Sequence, residues 1–227
     1  MDTILRGVGD LIRRRRRPHL RATFKRLAHG QNPVALLLTC SDSRVVSSLL
    51  LGTDPGDLFE VRTVGNLIAP AGEKGMASVG DESEAAAIEY ALLVLDVKHL
   101  VVMGHSGCGA MKAALKGQRA RGRSQPRALA RSRQGVAGEA GACPGIDRLL
   151  APEDRLSQAN VLQQLEHIVS YAPVAERVGR GEVELHGAWF DVEGADLHVW
   201  SAAERRFVRM DEEMIARALS RRAARSS

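Results

Sequence analysis

The chain has 227 residues, 44% hydrophobic but only 4% aromatic, and a formal net charge of +5 carried mainly by arginine. Such a chain can bury a sizeable core, which argues against a disordered or fibrous class; no run of about 18 apolar residues exists, which excludes a membrane-spanning helix. Three widely spaced cysteines, an odd number, argue for reduced thiols rather than a disulfide framework.

Residues 1–30 read as a basic helical arm whose apolar positions are too sparse for a core of their own. Its arginines at 13–17 are followed by Pro18-His19-Leu20-Arg21 rather than an apolar stretch, so a secretory signal is not expected and a cytoplasmic protein is. The arm is expected to pack on its own domain or on a partner subunit, since aromatic interleaving for base stacking is absent. After Gln31-Asn32-Pro33, residues 34–38 read as a buried strand ending in Cys40-Ser41-Asp42-Ser43-Arg44-Val45. A turn at 53–57 leads to a second strand at 58–62, then Thr63-Val64-Gly65-Asn66 and a Gly-rich loop through Gly80. Asp81-Glu82-Ser83-Glu84 resembles a capping box opening a helix with Ile88, Ala91, Leu92 and Leu95 at helical spacing. This helix feeds a third strand at 99–103, completing a βαβ crossover, and that strand ends in Gly104-His105-Ser106-Gly107-Cys108-Gly109.

A helix over about 110–115 is expected next, with its positive end facing Cys108. Residues 117–147, rich in Arg and Gly, read as a loop excursion; a helix follows Ser157, and strands at 183–192 and 197–200 flank Glu193-Gly194. The predicted fold is α/β: a mostly parallel sheet flanked by helices, with an N-terminal arm and a C-terminal edge hairpin. The predicted organisation is an arm (1–30), a domain (31–210) and a basic tail or helix (211–227).

Both motifs are predicted on loops at strand ends, where ligands collect in an open parallel sheet. Cys40, His105 and Cys108 supply the Cys2His set of a tetrahedral zinc site that keeps its fourth position for water. A buried structural cysteine and a satisfied histidine are the plainer alternative. Asp42 either takes the fourth zinc position or pairs with Arg44 and accepts a hydrogen bond from zinc-bound hydroxide; an Asp capping a following helix beside a surface Arg is the plainer alternative.

These two motifs together resemble the β-class carbonic anhydrases. The segments Phe59-Glu60-Val61-Arg62-Thr63-Val64-Gly65-Asn66, Ala87-Ile88-Glu89-Tyr90-Ala91 and Gly187-Ala188-Trp189-Phe190-Asp191-Val192 extend the resemblance over roughly residues 30–200. It implies reversible hydration of carbon dioxide to bicarbonate and a proton by zinc-bound hydroxide. It further implies one Zn2+ per subunit on Cys40, His105 and Cys108, with Asp42 paired to Arg44. A homodimer or higher homo-oligomer is implied, with no nucleic acid or membrane partner. Gln31, Phe59, Val64, Tyr90 and Gly109 are then the substrate pocket, Gln31 reaching across to the partner's substrate. Leu37 stands where members with a regulatory bicarbonate site carry Trp, which implies the open, plant-like form with Asp42 off the metal. The pattern departs from the usual Arg-Asn-Val-Ala-Asn at Thr63 and Gly65.

Three other readings compete. One is a carbon disulfide or carbonyl sulfide hydrolase on the same site. Another is a zinc-containing interaction or nucleic-acid-binding protein, against which the long gap between Cys40 and His105 speaks. The third is a dinucleotide enzyme, although Gly104, Gly107 and Gly109 run Gly-x-x-Gly-x-Gly rather than Gly-x-Gly-x-x-Gly. Cys143 is read as an uninvolved thiol.

Overall fold

The computed structural model describes residues 1–72, 83–116 and 145–225. Most of the predicted excursion at 117–147, Cys143, the loop through Gly80 and the Asp81-Glu82 half of the capping box lie outside the described residues.

Six strands form one sheet in the order β2-β1-β3-β4-β5-β6. They are β1 (Ala35–Cys40), β2 (Leu58–Thr63), β3 (His99–His105), β4 (Glu184–Asp191), β5 (Asp196–Ser201) and β6 (Arg206–Arg209). The first four are parallel and the last two antiparallel, so the expected mostly parallel sheet is present. The expected C-terminal hairpin is present as β4-β5, and β6, a strand too short and polar to stand out in the sequence, extends it to a three-strand antiparallel meander. β1 is buried at every position, as an apolar run between two parallel neighbours must be when both sheet faces are covered.

Eight α-helices occur among the described residues: α1 (Asp2–Arg14), α2 (Pro18–Leu27), α3 (Ser47–Leu51), α4 (Ser83–Leu93), α5 (Gly109–Lys116), α6 (Pro152–Val169), α7 (Ala172–Gly179) and α8 (Glu212–Arg225). One sheet face packs Leu36, Leu38, Leu100, Val102 and Trp189 against Ile88 and Leu92 of α4, Val161 and Ile168 of α6 and Val174 of α7. The other face carries Leu37, Met103 and Ala188, with Val45 of the loop after β1 and Leu50 and Leu51 of α3 packed on it.

α6 starts at Pro152, before the predicted start after Ser157. Proline at the first turn has its φ preset and needs no N–H partner there, and Glu153 and Asp154 favour the helix's positive end. Ser157 is therefore mid-helix and buried. α1 is exposed along its length, with Ile4, Leu5, Val8, Leu11 and Ile12 (43–65% exposed) on one helical stripe.

Candidate metal centre

The connection from β1 goes to β2 on one side, while β3 lies on its other side, so the carboxyl ends of β1 and β3 flank a topological switch point. Thr39 pairs in register with Met103, so Cys40 ends β1 level with Gly104 and His105 ends β3 one residue further along. The two ligand candidates thus belong to strand ends rather than to the loops expected, which fixes their Cβ directions. Cys108 follows on a turn through Gly107 (φ +62°), one residue before α5, and the amides of Ala110 and Met111 point at its sulfur.

One donor atom each from Cys40, His105 and Cys108 lies within 4.8 Å of the other two. His105 Nδ1 faces the Ser106 carbonyl at 2.9 Å, so that nitrogen carries the ring proton and Nε2 presents a lone pair. Nε2 is buried and has no hydrogen-bond partner, an orphan costly to keep unless a cation takes it. The two sulfurs are hydrogen-bonded: their bond holds the Cys40 thiol well below the ordinary thiol range, while that same bond and burial push Cys108 up. Two buried thiolates and an imidazole lone pair are a donor set suited to zinc.

Asp42 is not one of the three, although its Oδ2 is 3.8 Å from His105 Nε2. Arg44 grips it with two side-chain bonds, Nε to Oδ1 at 2.9 Å and Nη2 to Oδ2 at 2.7 Å, and its backbone N–H adds a third at 3.0 Å. These bonds hold the carboxyl well below the usual carboxylate range, so Asp42 is ionised at every physiological pH. The helix-cap alternative for Asp42 does not arise, since α3 begins only at Ser47. Arg44 Nη2 also donates to Gly107 O at 3.1 Å, tying the Cys40 loop to the Cys108 turn.

Several residues that hold this arrangement escaped the sequence reading. Arg62 Nη2 donates to the carbonyls of Cys40 (2.8 Å), Asp42 (3.1 Å) and Val45 (2.7 Å), fastening the whole first motif to β2. Gly65 N–H points at Cys40 Sγ at 3.4 Å. A side chain at Gly65, whose φ is +74°, would place its Cβ 2.9 Å from that of Ala110, a local reason for glycine here. The turn at 65–68 is held by α6: Asn160 donates to Gly65 O, and Gln164 bridges Asn160 and Ile68 N. Ser157 donates to His105 O, and Asp154 accepts from Gly107 N. Arg62→Leu, which leaves the three carbonyls without their common donor, is expected to weaken zinc binding about 10–100-fold, read by competition with a chromophoric chelator.

The predicted pocket residues divide into two groups. Val64 and Gly109 adjoin Gly65 and Cys108 beside the donors. Gln31, Phe59 and Tyr90 do not: Phe59 pairs with Leu36 near the start of β1, and its ring lies 5.8 Å from that of Tyr90. Gln31 is exposed shortly before Val34, whose N–H bonds Asp57 O at the amino-terminal edge of the sheet. Roughly 17 Å of β1 separates that edge from Cys40.

Residues 35–197 match the family model for carbonic anhydrase. The beta carbonic anhydrase 1 of Caenorhabditis elegans is 32% identical over 99% of this chain and 94% of its own. The solved structure of the beta-carbonic anhydrase CcaA superposes with a TM-score of 0.76 at 29% identity, covering 92% of this chain and 93% of that one. A structure from a study of two tetrameric beta-carbonic anhydrases of Sordaria macrospora does so with a TM-score of 0.71 at 27% identity, covering 89% and 98%.

Proposed function

This chain belongs to the β-carbonic anhydrase family, and from that premise we propose how its residues divide the work of hydrating carbon dioxide reversibly to bicarbonate and a proton. Cys40, His105 and Cys108 hold one zinc ion per subunit. The convergence of their donor atoms around the orphaned His105 Nε2 carries this reading. Bound there, zinc supplies a Lewis acid that makes hydroxide available near neutral pH.

Asp42 stays off the metal, and its pairing with Arg44 supports this open form, since turning to the ion would break two charge-assisted bonds. An ionised carboxylate only accepts hydrogen bonds, so Asp42 Oδ2 takes the O–H of the attacking water and aims its lone pair at the substrate carbon. Arg44 keeps that carboxylate from taking the proton. Val64 and Gly109 line the substrate side with apolar surface, which suits carbon dioxide.

Gln31, Phe59 and Tyr90 complete the pocket of a partner subunit. Two features support a homodimer or larger homo-oligomer: these residues stand at the sheet end opposite their own metal centre, and α1 exposes an apolar stripe a partner can cover. The free thiols of Cys40 and Cys108 support a reducing setting such as the cytoplasm, where they stay competent to hold a metal. No described helix is long and apolar enough to cross a membrane.

Stopped-flow hydration of carbon dioxide by protein of known zinc content tests the reading. Turnover that follows zinc content supports it, and full zinc without turnover overturns it. Gln31→Ala is expected to reduce kcat/KM about tenfold, as loss of one substrate hydrogen bond to a polar group does, while light scattering shows the oligomer intact. Unchanged kinetics would remove Gln31 from the pocket.

A further inference from the structure

A second convergence of ligating side chains lies at the other end of the sheet. His99 opens β3, which His105 closes, so roughly 20 Å of strand separates it from the catalytic donors. His99 pairs in register with Glu184 of β4, and His186 stands two residues further along. The period of two sends all three side chains to one sheet face. His99 Nδ1 lies 3.1 Å from His186 Nε2. Glu184 Oε2 lies 3.5 Å from the first nitrogen and 3.6 Å from the second.

Those separations are the ones a cation requires. Tetrahedral coordination with bonds of about 2.1 Å spaces neighbouring ligand atoms about 3.4 Å apart, and the point equidistant from these three atoms lies about 2 Å from each. The side chains stand on paired strands rather than loops, so the backbone holds the spacing. Side-chain exposure of 25% for His99, 41% for His186 and 58% for Glu184 leaves room for water as a further ligand.

We propose that His99, Glu184 and His186 form a second divalent-metal site that takes zinc, separate from Cys40, His105 and Cys108. Two imidazoles and a carboxylate suit zinc, copper or nickel. Lacking thiolate, the site is weaker than the catalytic one and fills after it. The proton in the hydrogen bond between the two rings moves to the other nitrogen of its own ring when the cation takes both lone pairs, so two neutral imidazoles bind without net proton release. A cation here cross-links the starts of β3 and β4.

The test uses tag-free holoenzyme stripped of loose metal with a weak chelator, then titrated with Zn2+ by calorimetry and equilibrium dialysis. Wild type is expected to take up a second equivalent with micromolar affinity and to melt at a higher temperature when it does. His186→Gln and Glu184→Gln are each expected to retain the first zinc and full carbon dioxide hydration while binding the second at least about tenfold more weakly. The electron paramagnetic resonance signal of Cu2+ loaded at the second site should show coupling to two imidazole nitrogens in wild type and to one in His186→Gln. A stoichiometry fixed at one up to millimolar zinc, or a second equivalent indifferent to both substitutions, overturns the proposal. Carbon dioxide turnover of the wild type reads the catalytic centre independently.

Discussion

Cys108→Ala is expected to yield a folded protein with less than about a tenth of its zinc, because a three-ligand site that loses a thiolate no longer competes for the ion. Carbon dioxide hydration should fall by about 10³-fold or more, since the metal contributes several kcal/mol to the transition state. The substitution is the cleanest deletion of a ligand available here. Cys108 is 1% exposed among Leu67, Met111 and Leu156, and alanine differs from it by one atom in a pocket that stays apolar. It also removes the hydrogen-bond partner of Cys40, which is left in a site with one sulfur and one imidazole. His105→Ala deletes a ligand too, but it empties the space of a fully buried ring and leaves the Ser106 carbonyl without its donor, so stability falls along with the metal. Zinc per chain by mass spectrometry, stopped-flow turnover and circular dichroism separate the two effects. A Cys108→Ala protein with a full zinc complement and wild-type turnover would remove Cys108 from the metal.

The parts of this molecule that announce themselves in the sequence are those governed by local periodicity. β1 and β3 are apolar runs because both faces of a parallel strand are covered, although each strand runs on into its motif, to Cys40 and His105. Cys40, His105 and Cys108 stand out as candidates because ligands collect at the carboxyl ends of parallel strands, and the sequence holds a thiol at one such end and an imidazole with a second thiol at the other. The network that positions them is another matter. Arg62 sits at an alternating position of β2, where a charged residue usually faces solvent, and only the fold shows that it gathers three carbonyls of the first motif. Ser157, Asn160 and Gln164 look like the polar side of an amphipathic helix, yet all three are buried and hold the turn at 65–68 and the end of β3. Their polarity serves backbone groups far away in sequence, which no periodicity encodes. The glycines at 104–109 likewise acquire their reasons in three dimensions. A Cβ at Gly104 would approach Val161 of α6 to 2.8 Å, so this glycine lets the helix cross the strand closely and is no part of a phosphate-binding turn.

Asp42→Asn is expected to retain one zinc per chain and to lower kcat by about 10²-fold, within the range for a group that accepts a proton or hydrogen bond in the transition state. Zinc is retained because Asp42 is not among the converging donors. Activity falls because the amide presents an NH2 group either to Arg44, where it meets another donor, or towards His105 Nε2, where it can no longer accept from the attacking water. The pH profile distinguishes this role from a merely structural one. Arg44 holds Asp42 ionised far into the acid range, so an acid limb near neutral pH belongs to the metal-activated water and should keep its midpoint in a variant that merely loosens the loop. Removing a negative charge 3.8 Å from the metal-facing nitrogen of His105 instead makes that water more acidic, and the midpoint should shift to lower pH as kcat falls. Arg44→Gln provides the complementary case: Asp42 keeps its charge but loses two side-chain donors and the link to Gly107 O, so turnover falls through misaim, with the profile less displaced. Full activity in Asp42→Asn, or X-ray absorption showing a second oxygen lost from the zinc shell of that variant at neutral pH, would place the carboxylate in a different role.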